Sequence, residues 1–373
     1  MIKSTSLQHT SFRYETLFTW LLFFVALVVL SLLRHGSFLI PILFCVFGLL
    51  QFKSFKDLNV SLISSAQNRI WYTCAAFALL CLISTAWSVL PLQTFTTSLQ
   101  FFGLLCFYLL LFSLVPQFQA LKPDWWQKLI VVFIIAGVSI WLAEKDMFNV
   151  RKLLDMHYRG FKPNVELLSL LAIPLGFYIY QTYARIFAIL FGSFALYLCV
   201  VSDIRASFYG LILGALSIPF WHYRAKLASF IAIGGLIIYA TLMPIFVYLF
   251  NYQPHTQWFV EHHGRSFLHR IIIWKFTAEK AWEKIYMGWG AMTSKNFPEV
   301  LRITPYEGSS SWPTLPSHPH NIFMQVWLEL GVLGMAVLLT FLAFCFIKLS
   351  RIQSNTIRTS MGMLLTAVIP MLS

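Results

Sequence analysis

The sequence predicts one all-α polytopic membrane domain over residues 1–373, with about 10–12 transmembrane helices and a long helical loop on the outer face between the ninth and tenth spans. Three observations predict it: 58% of the residues are hydrophobic, only 11% are charged, and the mean hydropathy is +0.72. Soluble domains carry about 25% charged residues, so too little polar surface is left here to coat a particle in water. A transmembrane β-barrel alternates apolar and polar residues and averages near neutral hydropathy, and a disordered chain lacks the apolar residues abundant here. The net charge of +13 is spread singly between apolar stretches. That pattern argues against a nucleic-acid partner and fits Lys and Arg flanking spans beside anionic membrane lipid.

A hydrocarbon core of about 30 Å takes roughly 20 apolar residues as helix. Apolar runs that can serve as spans occupy 17–33, 37–52, 71–90, 98–118, 127–143, 165–180, 183–201, 204–220, 226–250 and 322–347. The first is followed by further spans and by no small-residue cleavage site, so it reads as a signal-anchor. A last apolar run, from Met361 to Ser373, is too short to cross and is expected to be a truncated span or part of a hairpin. Cys45, Cys74, Cys81, Cys106, Cys199 and Cys345 all lie inside apolar runs without metal-ligand spacing. They are expected to be buried thiols rather than disulfides.

With the N-terminus inside, the inner connections carry 13 of the 27 Lys and Arg, the short outer connections carry 7, and one long loop carries the other 7. The positive-inside rule therefore places residues 251–321 on the outer face. That loop holds His255, His262, His263, His269, His318 and His320, together with Arg265, Arg270, Trp274 and Trp282. Phe267, Ile271, Trp274, Ala278 and Trp282 recur at helical spacing over 267–285, which predicts an amphipathic helix along the membrane interface. His262-His263 and His318-Pro319-His320 offer imidazoles, but no His-x3-His, Glu-x-x-His or Cys pair accompanies them. No metal and no cofactor is expected.

Ser317-His318-Pro319-His320-Asn321 runs directly into an apolar helix. The proline imposes an extended approach and Asn321 can cap the helix start, which sets His320 at the mouth of the membrane domain. A helix N-terminus disfavours a protonated imidazole, so His320 is expected to be neutral and able to accept a proton. Gln325 and Glu329 continue one face of the helix inward. A carboxylate at membrane depth marks a functional site by default, with a capping or buried-polar role as the alternative. On the same outer face, Ser202-Asp203-Ile204-Arg205 joins two apolar runs. A guanidinium entering a span costs about 2.5–3.5 kcal/mol on the insertion scale. Arg205 is therefore paired, with Asp203 nearest, or faces an aqueous cavity, or snorkels to the interface. Asp155, Arg159, Gly160, Phe161, Lys162 and Asn164 form a third polar cluster there.

His318-x-His320-Asn321-x-x-Met324-x-x-x-x-Glu329-x-Gly331-x-x-Gly334 resembles the signature of the O-antigen ligase and polymerase superfamily of bacterial envelope glycosyltransferases. Arg205 resembles that family's first essential arginine. Arg270-x-x-x-Trp274 followed by Gly288-Trp289-Gly290 resembles its loop motif, and Gly160-Phe161-x-x-Asn164 with Pro174 resembles a further element. The resemblance covers residues 155–347, and it departs at the end, where the family carries about two complete spans after the His motif and this chain stops within the second.

The resemblance implies a multi-pass protein of the bacterial inner (cytoplasmic) membrane with its active site facing the periplasm, so that 251–321 becomes a periplasmic loop. It implies an undecaprenyl diphosphate-linked glycan as donor and lipid A–core as acceptor, joined by metal-independent inverting glycosyl transfer in lipopolysaccharide biosynthesis. The implied catalytic residues are His320, Arg270 and Arg205. Arg265, His318, Asn321, Arg159, Asn164 and Trp274 are the implied substrate-binding residues. The chemistry agrees: a departing diphosphate develops negative charge that Arg meets in bidentate fashion, and an acceptor hydroxyl needs a base near neutral pH, usually His. O-antigen polymerase and protein O-oligosaccharyltransferase share these elements and stand as alternatives. The connection 144–166 has five basic residues against four acidic ones, which leaves the polymerase open. A transporter of the lipid-linked glycan predicts polar residues on several mid-span helices and broken spans, and few of either are visible.

Overall fold

In the computed structural model, which describes residues 69–113, 124–145, 162–249, 265–304 and 310–371, the apolar runs are helices. Backbone in hydrocarbon must close its own hydrogen bonds, and helix does so within one segment. The predicted spans 17–33 and 37–52 lie outside the described residues, as do Arg159, His255, His262 and His263. The helices in chain order are α1 (Arg69–Ile83), α2 (Pro91–Ser113), α3 (Asp124–Glu144), α4 (Lys162–Thr182), α5 (Arg185–Val201), α6 (Arg205–Leu216), the short α7 (Ile218–Tyr223), α8 (Ala225–Leu249), α9 (Arg265–Glu283), α10 (Ile322–Ser350) and α11 (Asn355–Met371). Two short antiparallel strands, β1 (Arg302–Ile303) and β2 (Trp312–Pro313), lie between α9 and α10. Among the described residues, three helices are long and apolar enough to cross a membrane: α4 over Asn164–Thr182, α8 and α10. Shorter apolar helices accompany them, with Phe187, Ile189 and Leu190 of α5 among the large side chains left exposed.

Three boundaries differ from expectation. The run 71–90 is divided: α1 stops at Ile83, a tight 3-10 turn covers Ser84–Ala86, and Pro91 opens α2, where its missing N–H has no helical partner to lose. The run 204–220 is divided at Ser217 between α6 and α7. The last helix begins at Asn355 rather than Met361. Its first turn is polar but partnered, since Arg358 donates to the carbonyls of Trp221 (3.2 Å) and His222 (3.1 Å) at the end of α7.

The described helices divide into two units. The first holds α3 to α7 and α11. Within it α4 packs against α3 and α5, burying Phe133, Ile140, Leu168, Leu175, Phe191 and Leu198, and α11 packs on α4 and α6. The second holds α1, α2 as far as Leu109, α8, α9, the β-ribbon and α10. Here α10 is central and packs against α1, α8 and α9. The predicted amphipathic helix forms as α9, but more than one stripe is buried. Leu268, Ile272, Ile273, Phe276 and Ala281 are covered along with Ile271 and Ala278, while Trp282 is exposed, because α8 and α10 both contact the helix. The five described cysteines are free thiols.

Candidate functional site

The start of α10 is built on one asparagine. Asn321 is extended (φ −156°, ψ 116°), and its Oδ1 accepts from the amides of Phe323 at 3.0 Å and Met324 at 3.2 Å. This is the N-cap the sequence predicts. Its Nδ2 donates to Tyr239 Oη on α8 at 2.7 Å, so the cap also sets α10 against α8. One residue earlier, His320 has φ +54°, a left-handed conformation that costs a non-glycine residue of order 1–3 kcal/mol and persists where its surroundings over-determine it. Those surroundings come from α9. Trp274 Nε1 donates to the Pro319 carbonyl at 2.8 Å, and His269 Nε2 lies 3.0 Å from the Pro313 carbonyl. The rings of His318 and His320 are 4.2 Å apart, and Ser317 Oγ is 2.9 Å from His318 Nδ1.

His320 is pushed down to about 4, first by partial burial and then by the charges of His318, Arg270 and His269. By area the residue is exposed, so the positive neighbours are the firmer cause. The helix N-terminus by itself favours a neutral His320; the structure adds a positive side-chain cluster with Arg270 in it. Arg270 is itself exposed, placed on α9 four residues before Trp274.

Further along, α10 breaks. At Gly331 the backbone turns to φ 59°, ψ −151°, a combination that glycine alone adopts readily. The polar groups freed by the break are taken up by the segment after α9. Val332 N donates to Ile285 O at 2.8 Å and Leu333 N to Tyr286 O at 3.3 Å, while Leu328 O and Glu329 O accept from Trp289 N (2.9 Å) and Gly290 N (2.8 Å). The backbones are so close that a Cβ at Gly288 would lie 2.3 Å from the Glu329 carbonyl carbon. The Glu329 carboxylate, 5% exposed, completes the joint: Oε2 accepts from Met292 N at 2.6 Å, and Oε1 accepts from Ser294 Oγ at 2.5 Å and Gln325 Nε2 at 3.0 Å. These contacts are the geometry of a buried polar group. One broken span is therefore present, but its loose ends are filled by the chain itself.

The other side of this loop rests on residues that lie outside the motifs of the sequence. Ala291 N donates to Ser84 Oγ (3.0 Å), Thr94 Oγ1 to Ala291 O (2.9 Å), Trp87 Nε1 to Met287 O (3.0 Å) and Gln93 Nε2 to Met292 O (2.8 Å). The available signal was the polar interruption Ser84-Thr85 and Ser88 inside the apolar run 71–90.

In the first unit, Arg205 opens α6 and pairs with Asp203, Nε to Oδ1 at 3.6 Å, with its side chain 78% exposed. This is the pairing the sequence named first. Asn164 lies in the first turn of α4 and is fully buried.

Residues 169–339 match the family model described as O-Antigen ligase. Over that stretch the chain is similar to the O-antigen ligase family. Curated relatives provisionally named polysaccharide ligases agree. One from Rickettsia bellii is 29% identical over 76% of this chain and 69% of its own length. Others are from Rickettsia typhi, 27% identical over 69% and 64%, and from Rickettsia felis, 24% identical over 76% and 70%. The chain thus spans roughly two thirds of the length of these relatives. No solved structure is significantly similar to it.

The superfamily match takes in Arg205, Arg265, Arg270, Trp274, His318, His320 and Asn321 and leaves out Arg159, Asn164 and the Ser84–Thr94 support. The second unit brings together Arg270, Trp274, His318, His320 and Asn321. Arg265 begins α9 in the same unit, and Arg205 and Asn164 belong to the first. Among the described residues no three His, Cys, Asp or Glu side chains are grouped as metal ligands.

Proposed function

We propose that the protein is an O-antigen ligase, an inverting glycosyltransferase that moves a glycan from undecaprenyl diphosphate to lipid A–core in lipopolysaccharide biosynthesis. In this reading the chain is one multi-pass domain of the bacterial inner membrane with about 10–12 spans, and residues 251–321 face the periplasm. His320 takes the proton from an acceptor sugar hydroxyl as its oxygen attacks the anomeric carbon. The bond from that carbon to the diphosphate breaks on the opposite face, and the diphosphate leaves with the electron pair. Arg205 and Arg270 neutralise the departing charge through paired N–H donors. Arg265, Arg159, Asn164, Asn321, His318 and Trp274 bind or frame the two substrates.

The observation that carries the reading is His320, held in a strained turn and kept neutral beside Arg270. A neutral imidazole is free to accept a proton at pH 7. A diphosphate arriving at the same positive cluster offsets the field that weakens the base, so basicity rises as the donor docks. The test is the lipopolysaccharide of a strain lacking the gene. Loss of the whole O-antigen ladder with lipid-linked polymer accumulating is the ligase outcome. A single-repeat band assigns O-antigen polymerase, and a full ladder with unglycosylated protein assigns protein O-oligosaccharyltransferase.

A further inference from the structure

The turn between α5 and α6 gathers more charge than a connection between apolar helices needs. Asp203 has φ +51° and meets two cations. Its Oδ1 is 3.6 Å from Arg205 Nε and its Oδ2 is 3.9 Å from Lys162 Nζ, while its carbonyl accepts a hydrogen bond from Lys162 Nζ at 3.0 Å. Lys162 opens α4 and Arg205 opens α6. A cation in the first turn works against the helix dipole, so neither position serves helix stability. Exposed ion pairs of this kind contribute only about 0–1 kcal/mol.

Nor does Asp203 use up the donors. It approaches Arg205 on the Nε side of a side chain that is 78% exposed, which leaves the two terminal amino groups accessible. Lys162 Nζ has three N–H bonds and gives one to the Asp203 carbonyl. Glu166 lies one turn further along α4. Ser202 and Ser207 flank the turn, buried, and their hydroxyls have no partner among the described residues. Two cations gathered by one carboxylate, each with free donors, suit a ligand with two linked anionic groups.

We infer that Lys162 is the second cation of a diphosphate-binding turn, meeting one phosphate while Arg205 meets the other, and that Asp203 is the residue that positions the pair. This rests on the proposed function, in which Arg205 meets the donor diphosphate. It adds Lys162 and Asp203, and it makes the turn selective for a diphosphate over a monophosphate.

The test titrates the full-length protein in nanodiscs with undecaprenyl diphosphate and, separately, with undecaprenyl monophosphate, following the melting temperature of every variant. Lys162→Met should lose about tenfold in affinity for the diphosphate, equal to about 1.4 kcal/mol, with little change for the monophosphate, and Lys162→Arg should recover most of the loss. Asp203→Asn keeps a residue that tolerates the left-handed turn and should also weaken the diphosphate selectively. Unchanged diphosphate affinity in Lys162→Met overturns the inference and leaves the ligase reading standing. A parallel loss of both lipids together with a lowered melting temperature overturns it too, since the residues then only hold the turn. Tighter binding by Asp203→Asn makes Asp203 a competitor for the cations and not their positioner. A wild-type protein that binds neither lipid sinks the inference and the proposed function together.

Discussion

Two helix starts in this protein solve the same problem in opposite ways. α10 begins on Asn321, which is 3% exposed, caps two amides and donates to Tyr239. α6 begins on Arg205, with no side-chain cap from Ile204 among the described residues and a guanidinium that is 78% exposed. The first start is complete before any ligand arrives, whereas the second keeps its donors available. The difference matches the chemistry proposed for each. A general base must be placed to within a fraction of an ångström of its proton, and that demands preorganisation. A phosphate clamp gains from donors that close on the ligand.

The largest effect is expected within α10, at Glu329. Glu329→Ala removes the acceptor shared by Met292 N, Ser294 Oγ and Gln325 Nε2, and the buried Ser294 hydroxyl left unpaired costs about 1–3 kcal/mol. A large drop in melting temperature of the purified protein is expected, with a smaller one for Glu329→Gln, which retains one acceptor oxygen. Melting close to wild type in Glu329→Ala would mean that the carboxylate does not carry the loop.

At α6, Arg205→Lys should lower transfer by about 10²-fold, the scale for losing one charge-stabilising group, with protein level and melting temperature unchanged. Lys keeps the charge and loses the planar fork; a retained lipopolysaccharide ladder would reduce Arg205 to an interfacial anchor. The cap is a smaller matter. Asn321→Ala should destabilise by about 1 kcal/mol, read as a modest shift in thermal melting, and unchanged melting would separate the start of α10 from its asparagine.

Much of this was legible in the sequence, and for physical reasons. Apolar runs of membrane length can only be helices in lipid, so α3, α4, α5, α8 and α10 lie close to their predicted spans. The Asn321 cap and the Asp203–Arg205 pair were readable because each depends on residues two or three apart. The break at Gly331 was not, since one glycine inside an apolar run leaves hydropathy unchanged. The support from Ser84, Trp87, Gln93 and Thr94 lies about 200 residues from the loop it holds, beyond the reach of any local pattern. Glu329 looked like a reactive group because burial of a carboxylate is visible from sequence and its partners are not. Among the described residues, Asp203, Met292 and His320 are the non-glycines with positive φ, and all three sit at these joints.

The mildest prediction concerns pH. Because His320 is lowered, its base form persists through the ordinary histidine range near 6.5 and is lost only as pH falls toward about 4. The acid limb of kcat/KM, which reports the free enzyme, should therefore lie well below 6. A limb near 6.5 would show that the positive cluster around His320 does not act on it.

The most direct test of the central claim, that His320 is the base, is transfer from purified lipid-linked glycan by His320→Ala and His318→Ala side by side, with and without chelator. The expected result is a rate lowered by about 10²–10⁴-fold for His320→Ala with donor binding nearly intact, a much milder loss for His318→Ala, and no effect of chelator. Equal loss in the two variants, or a strong effect of chelator, would contradict it.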